Sequence, residues 1–158
     1  MASKTTFKEI KFQTWVELID ALHLDGWQVA LLGGAKDFES NHLIAESCMS
    51  APHIISDFTI EQSSVLLKKA QLLVSIDSFA IHLASAMDCK VVAIFGPTNE
   101  VNWHPWQCDY LCVTQDEKFS CRPCGWAGCQ GTKISECLKT VTSKMLMNAC
   151  QRLLVTKL

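Results

Sequence analysis

The sequence predicts an α/β domain built on a doubly wound parallel sheet, and three observations carry that prediction. Short apolar segments such as "WQVALLGG" and "KVVAIFG" alternate along the chain with segments of helical periodicity. Those short segments are apolar throughout rather than at every second position, which is the pattern of strands covered on both faces. The chain has 158 residues, enough for one core that buries roughly two thirds of the unfolded surface and too few for a second large domain.

The elements follow in order. In "FQTWVELIDALHL", Phe12 to Leu24, the apolar residues Trp15, Ile19 and Leu22 recur at three- and four-residue steps, so a helix is expected, ended by Asp25-Gly26. A strand in "WQVALLGG" leads to a helix over Phe38 to Ser50, and "PHIISD" reads as a short strand. The segment "TIEQSSVLLKKA" opens with Thr59 as the start signal of another helix, and "QLLVSID" is the next strand. A helix from Ser78 to Met87 and the strand "KVVAIFG" complete the alternating part. After Thr98 the pattern breaks into loop, with one strand in "YLCVT" and a last amphipathic helix over 143–154 packing back on the sheet. No repeat, low-complexity tract or linker divides the chain, so residues 1–158 are expected to form one domain.

Charge and composition narrow the partners. With 14 basic and 16 acidic residues the net charge is −2, which offers no electrostatic footprint for nucleic acid or an anionic membrane. No apolar run reaches the roughly 18 residues of a membrane span, and Lys4, Lys8 and Lys11 lie where a signal peptide would be apolar. A cytoplasmic protein with small-molecule or protein partners is expected. The nine cysteines are odd in number and unevenly placed, which favours thiols and a metal site over a disulfide framework.

In open α/β sheets ligands bind beyond the carboxyl ends of the strands, where loops meet helix N-termini. Three such ends carry polar or glycine-rich chemistry: Gly33-Gly34 with Asp37, Asp77-Ser78, and Gly96-Pro97-Thr98. At the second, the amides of a helix's first turn and the Ser78 hydroxyl suit a phosphate, and His82 lies four residues on. Asp77 would repel a phosphate, so its expected task is to accept amide hydrogen bonds as a cap. The same residues also suit plain helix capping and a buried core histidine, and local pattern leaves both readings open.

The order of the segments adds to this. "LLVSIDSFAIHLASAMDCKVVAIFGPTNEVNWHPW" resembles the C-terminal domain of the ADP-heptose:lipopolysaccharide heptosyltransferases, glycosyltransferase family 9. There a strand, an Asp-Ser/Thr-Gly-x-x-His turn, a small-residue helix, a strand and Phe-Gly-Pro-Thr follow one another. The likeness extends to "GWQVALLGGAKD", to "ASKTTFKEIKFQTW" at the N-terminus and to the cysteine-bearing segment after Ser120, so it covers nearly the whole chain. Phe79 departs from the pattern, standing where many members have Gly; Asp-Ser-Phe occurs in relatives that glycosylate proteins.

The resemblance implies the C-terminal, Rossmann-like half of a GT-B fold, the half that grips an ADP-heptose-like nucleotide-sugar donor. It implies diphosphate contacts from Ser3, Lys4 and Lys8, a pyrophosphate turn at Asp77, Ser78 and His82, and ribose contacts from Asp37 or Glu39. The implied reaction is inverting glycosyl transfer without a catalytic metal. The family's N-terminal domain, which binds the acceptor and carries the general base, finds no counterpart in these residues. No catalytic residue is therefore assigned, no turnover by this chain alone is expected, and a separate N-terminal acceptor domain or a homo-oligomer is the expected partner.

The cysteines give a second signal. Cys121-x2-Cys124-x4-Cys129-x7-Cys137 lies in a glycine-containing loop, 119–138, flexible enough to bring four thiolates around one ion. Zinc and iron both suit four sulfurs, and the spacing does not choose between them. A four-cysteine iron finger in some protein heptosyltransferases gives iron comparable weight, against the alternative of four free thiols. Cys108 and Cys112 are possible substitutes, Cys48, Cys89 and Cys150 read as small core residues, and Trp103, Trp106 and Trp126 either pack the loop down or mark a surface for another domain. Three function classes follow: the donor-binding half of a transferase, a non-catalytic nucleotide-binding or oligomerisation module held by a metal finger, and a zinc-ribbon nucleic-acid binder. The acidic net charge counts against the last.

Overall fold

A computed structural model describes residues 9–154. Its elements are α1 (Phe12–Leu24), β1 (Ala30–Leu32), α2 (Phe38–Ser47), β2 (His53–Ile55), α3 (Ile60–Lys69), β3 (Leu72–Ile76), α4 (Phe79–Ala86), β4 (Lys90–Ile94), α5 (Glu100–Trp103), β5 (Tyr110–Val113), α6 (Glu136–Lys139) and α7 (Ser143–Leu154). Each predicted helix and strand is present. The loop expected after Thr98 also contains the short helices α5 and α6, too brief to show apolar periodicity.

All strand pairing is parallel, as the continuous apolar strands require. β3, β4 and β5 form one ladder, with Val74 opposite Val92 and Val92 opposite Leu111. β1 and β2 form a second ladder, Ala30 opposite His53. Residues of β4 alternate between two cores. Val91, Ala93 and Phe95 pack with Leu67, Ile81 and Ala84 of α3 and α4. Val92 and Ile94 pack with Leu18 of α1, Leu138 of α6 and Leu146 and Cys150 of α7. Helices therefore cover both faces, and Val91 to Ile94 of the strand between them are wholly buried.

Among the described residues the sheet is not continuous. No ladder joins β1 to β3; in that gap lies a cavity of about 440 Å³ lined by Trp15, Leu22, Leu31, Ala70, Leu73 and Leu154 among others. The three-residue strands β1 and β2 are only partly buried, so the apolar surface they offer does not draw the two ladders together.

Helix starts follow local chemistry. Thr59 caps α3 through a reciprocal box with Gln62, each side chain serving the other residue's backbone amide. At α4 the cap is Ser78, one residue later than expected; its Oγ accepts from the Ala80 amide at 3.3 Å. Asp77 is buried just before the cap, and its amide donates to the Ile94 carbonyl of β4 at 2.9 Å. That amide bond fixes the end of β3 against β4. No helix among the described residues is long and apolar enough to cross a membrane.

Candidate functional site

The carboxyl ends of β3 and β4 bring together the polar residues that the sequence singled out. Ser78 sits at the mouth of α4 with Phe79 at the first helical position and His82 one turn further on. Phe79 is exposed, so its side chain does not fill the space inside the turn. His82 is also exposed, which removes the core-histidine reading; its ring meets the edge of Trp103 of α5, centroids 6.3 Å apart. Thr98 closes the turn after β4, and its Oγ1 is enclosed without a hydrogen-bond partner among the described residues.

Ser75, inside β3, is a further member that the sequence reading did not select. Its buried hydroxyl donates to the Ile76 carbonyl at 3.0 Å and lies 3.2 Å from Ser78 Oγ. A hydroxyl has one proton and two acceptor positions. If Ser75 turns its proton to Ser78, the Ser78 proton is released toward the open side of the turn. The signal was visible as a lone serine within an apolar strand.

The ribose candidates lie at the end of β1. Asp37 is half-buried and its Oδ2 accepts from the Gly34 amide at 3.0 Å, so it shapes the Gly33-Gly34 turn. Glu39 is exposed and lines an open depression with Lys36, Phe38 and Asp57. Asn41, which the sequence reading passed over, reaches back from α2: a Cβ at Gly33 would lie 2.7 Å from its Nδ2. Ser3, Lys4 and Lys8 lie outside the described residues.

The four-cysteine metal finger is not formed. Among the described residues no group of three or more His, Cys, Asp or Glu side chains is arranged to hold a metal ion. Cys121 is exposed, whereas Cys137 is buried in the main core on α6. Burial pushes the Cys137 thiol up, Arg122 opposes the rise, and Cys129 and Cys124 add to it. Burial is the largest of these influences on Cys137.

The loop orders itself by other means. Arg122, its side chain fully buried, donates from Nε to the Gly96 carbonyl and is paired with Glu100 and Asp116. The Gly125 amide donates to the Pro97 carbonyl at 2.8 Å, and the Cys129 amide to the Ile134 carbonyl at 2.7 Å. Phe119 packs on the main core. Trp103, Trp106 and Trp126 do not pack the loop down, because all three are exposed.

Comparison with known proteins completes the site. The family described as glycosyltransferase family 9 (heptosyltransferase) matches residues 1–134. A lipopolysaccharide heptosyltransferase 3 of Escherichia coli is 32% identical over 93 residues, which are 56% of this chain and 27% of that protein. The glycosyl transferase family 9 structure from Veillonella parvula superposes with a TM-score of 0.85 at 19% identity, over 99% of this chain and 45% of that one. The E. coli heptosyltransferase WaaC, solved with ADP, gives a TM-score of 0.75 at 19% identity, covering 96% of this chain and 42% of that one. The chain thus spans about a quarter of the curated relative and under half of the solved ones.

Proposed function

The chain belongs to glycosyltransferase family 9, and on that premise we propose that it is the donor-binding half of an inverting glycosyltransferase of the heptosyltransferase type. Its donor would be an ADP-heptose-like nucleotide sugar, held beyond the carboxyl ends of β3 and β4. The observation that carries the reading is the Ser78 turn: a helix mouth with a hydroxyl cap, an exposed histidine one turn on and an enclosed Thr98 hydroxyl across from it. The ADP in the solved E. coli heptosyltransferase supports the choice of nucleotide.

In this reading the amides of the first turn of α4 and the Ser78 hydroxyl donate to phosphate oxygens. Ser75 supports that step by donating to Ser78 Oγ, so that Ser78 can turn its own proton outward. As the sugar leaves, charge grows on the diphosphate, and donors already aimed at it bind the departing group more strongly than the intact donor. Asp37 and Glu39 would serve the nucleoside end. Ser3, Lys4 and Lys8 would add donors and positive charge. A catalytic base and the acceptor contacts would come from the part of the relatives that this chain does not match.

Calorimetric titration tests the reading. ADP should bind more tightly than adenosine or a free sugar, and Ser78→Ala should weaken it by about 10- to 150-fold, the loss of a single bond to a charged acceptor. Lys8→Ala should cost about 1–3 kcal/mol of ADP binding. ADP that fails to bind at millimolar concentration contradicts the proposal.

A further inference from the structure

We infer that Arg122 is a positioning residue for the nucleotide site: it clamps the Gly96–Thr98 turn and α5 in the geometry that receives the diphosphate. The inference rests on the nucleotide reading above and deepens it by giving the cysteine-rich loop a task other than metal binding.

Three contacts carry it. Nε donates to the Gly96 carbonyl at 2.5 Å, from 26 residues away in sequence. Nη2 donates to Glu100 Oε2 at 3.2 Å, and Nη1 to Asp116 Oδ1. The guanidinium is 0% exposed, while its partners Glu100 and Asp116 remain 26% and 52% exposed. A planar fork with five donors can meet a carbonyl and two carboxylates on separate elements at once; an ammonium ion can hold them only as a point charge.

Two of the three contacts fall on segments that border the Ser78 turn, and the third anchors the guanidinium to the loop after β5. Gly96 begins the turn that ends at Thr98, whose enclosed hydroxyl has no partner among the described residues. A second bond from the same loop, Gly125 amide to Pro97 carbonyl, holds the next residue of that turn. Glu100 opens α5, which carries Trp103 to the edge of the His82 ring. One buried cation therefore sets the Thr98 hydroxyl and the His82–Trp103 contact together. A buried cation is costly unless fully partnered, and this one joins three elements at the strand ends.

The test compares wild type with Arg122→Lys and Asp116→Asn, measuring ADP and adenosine affinity by calorimetry and unfolding by circular dichroism. Arg122→Lys keeps the charge but loses the fork. Expected is a loss of ADP affinity of about 5- to 20-fold in folded protein, with adenosine affinity changed by less than about 2-fold. Asp116→Asn, which retains an acceptor, should lose less. A lowered melting temperature with unchanged ADP affinity of the folded protein would make Arg122 a fold anchor only and overturn the inference. Nucleotide-free NMR gives a readout independent of ligand: in Arg122→Lys the His82 ring and the 96–100 amides should shift, and unchanged signals there overturn the clamp. If wild type binds no ADP, the donor-binding reading falls, and with it the clamp's role in receiving a diphosphate.

Discussion

The two ladders of this domain are made from the same β-α-β unit and are finished differently. In the β3–β4–β5 ladder the strands run four or five residues, and Val91 to Phe95 are buried without exception between two cores. In the β1–β2 ladder the strands run three residues, Ala30 is exposed, and the side toward β3 opens on the apolar cavity. Local sequence pattern is similar in both, so the difference arises from what covers each strand. β4 has helices above and below it, while β1 has, among the described residues, a hydrogen-bonded neighbour on one side only. On the proposed reading, the ligand's phosphates meet the rigid half and its nucleoside the looser one. That arrangement pre-organises the charged end, where misplacement is most costly, and lets the other adjust.

Matched truncations put the contrast at its largest. Ile94→Ala should cost about 3–5 kcal/mol, since Ile94 is wholly buried, whereas Leu31→Ala beside the cavity should cost under about 2 kcal/mol. Denaturant unfolding reads both, and equal losses would remove the distinction. Two glycines give the next contrast. A Cβ at Gly96 would lie 2.5 Å from Leu138 Cγ in the core, so Gly96→Ala should cost about 1–3 kcal/mol. Nothing lies within 4 Å of a Cβ at Gly34, so Gly34→Ala should stay within about 0.5 kcal/mol of wild type.

Alkaline pH sharpens the comparison further. Burial pushes the thiols of Cys150 to about 12 and Cys89 to about 11, both on the rigid half. In the unfolded chain they ionise near pH 8.5, so above that pH the unfolded state binds fewer protons and stability falls until each folded thiol also ionises. Their contribution is fully present below pH 8.5 and disappears toward pH 11–12. Cys150→Ala should therefore reduce the steepness of the decline between pH 9 and 10 by about 1.4 kcal/mol per unit. An unaltered slope would place the Cys150 thiol in a more polar setting. Filling the gap should act in the opposite direction: Ala70 lines the cavity with extended backbone, and Ala70→Val should add about 1 kcal/mol of stability.

Sequence pattern revealed the fold well because most of it is local. Continuous apolar strands announced parallel pairing, and the helix start at Thr59 was written in its neighbours. What pattern could not show was contact between distant residues. Arg122 meets Gly96, Glu100 and Asp116 across separate elements, and no local pattern in the 119–138 loop announces those contacts. Cysteine spacing misled for the same reason: Cys137 belongs to the core, which no count of intervening residues reveals. At the site, Ser78 and His82 were legible as polar interruptions of an apolar passage. The cap lay one residue from Asp77, and the break between the ladders depended on strand lengths that alternation does not define.

The central claim is that the ends of β3 and β4 receive a nucleoside diphosphate, and amide exchange with and without saturating ADP tests it most directly. The account predicts added protection at residues 75–82 and 96–103, with little change at the β1–β3 cavity or in residues 126–136. No protection on adding ADP, or protection confined to the cavity or to the cysteine-rich loop, would contradict it.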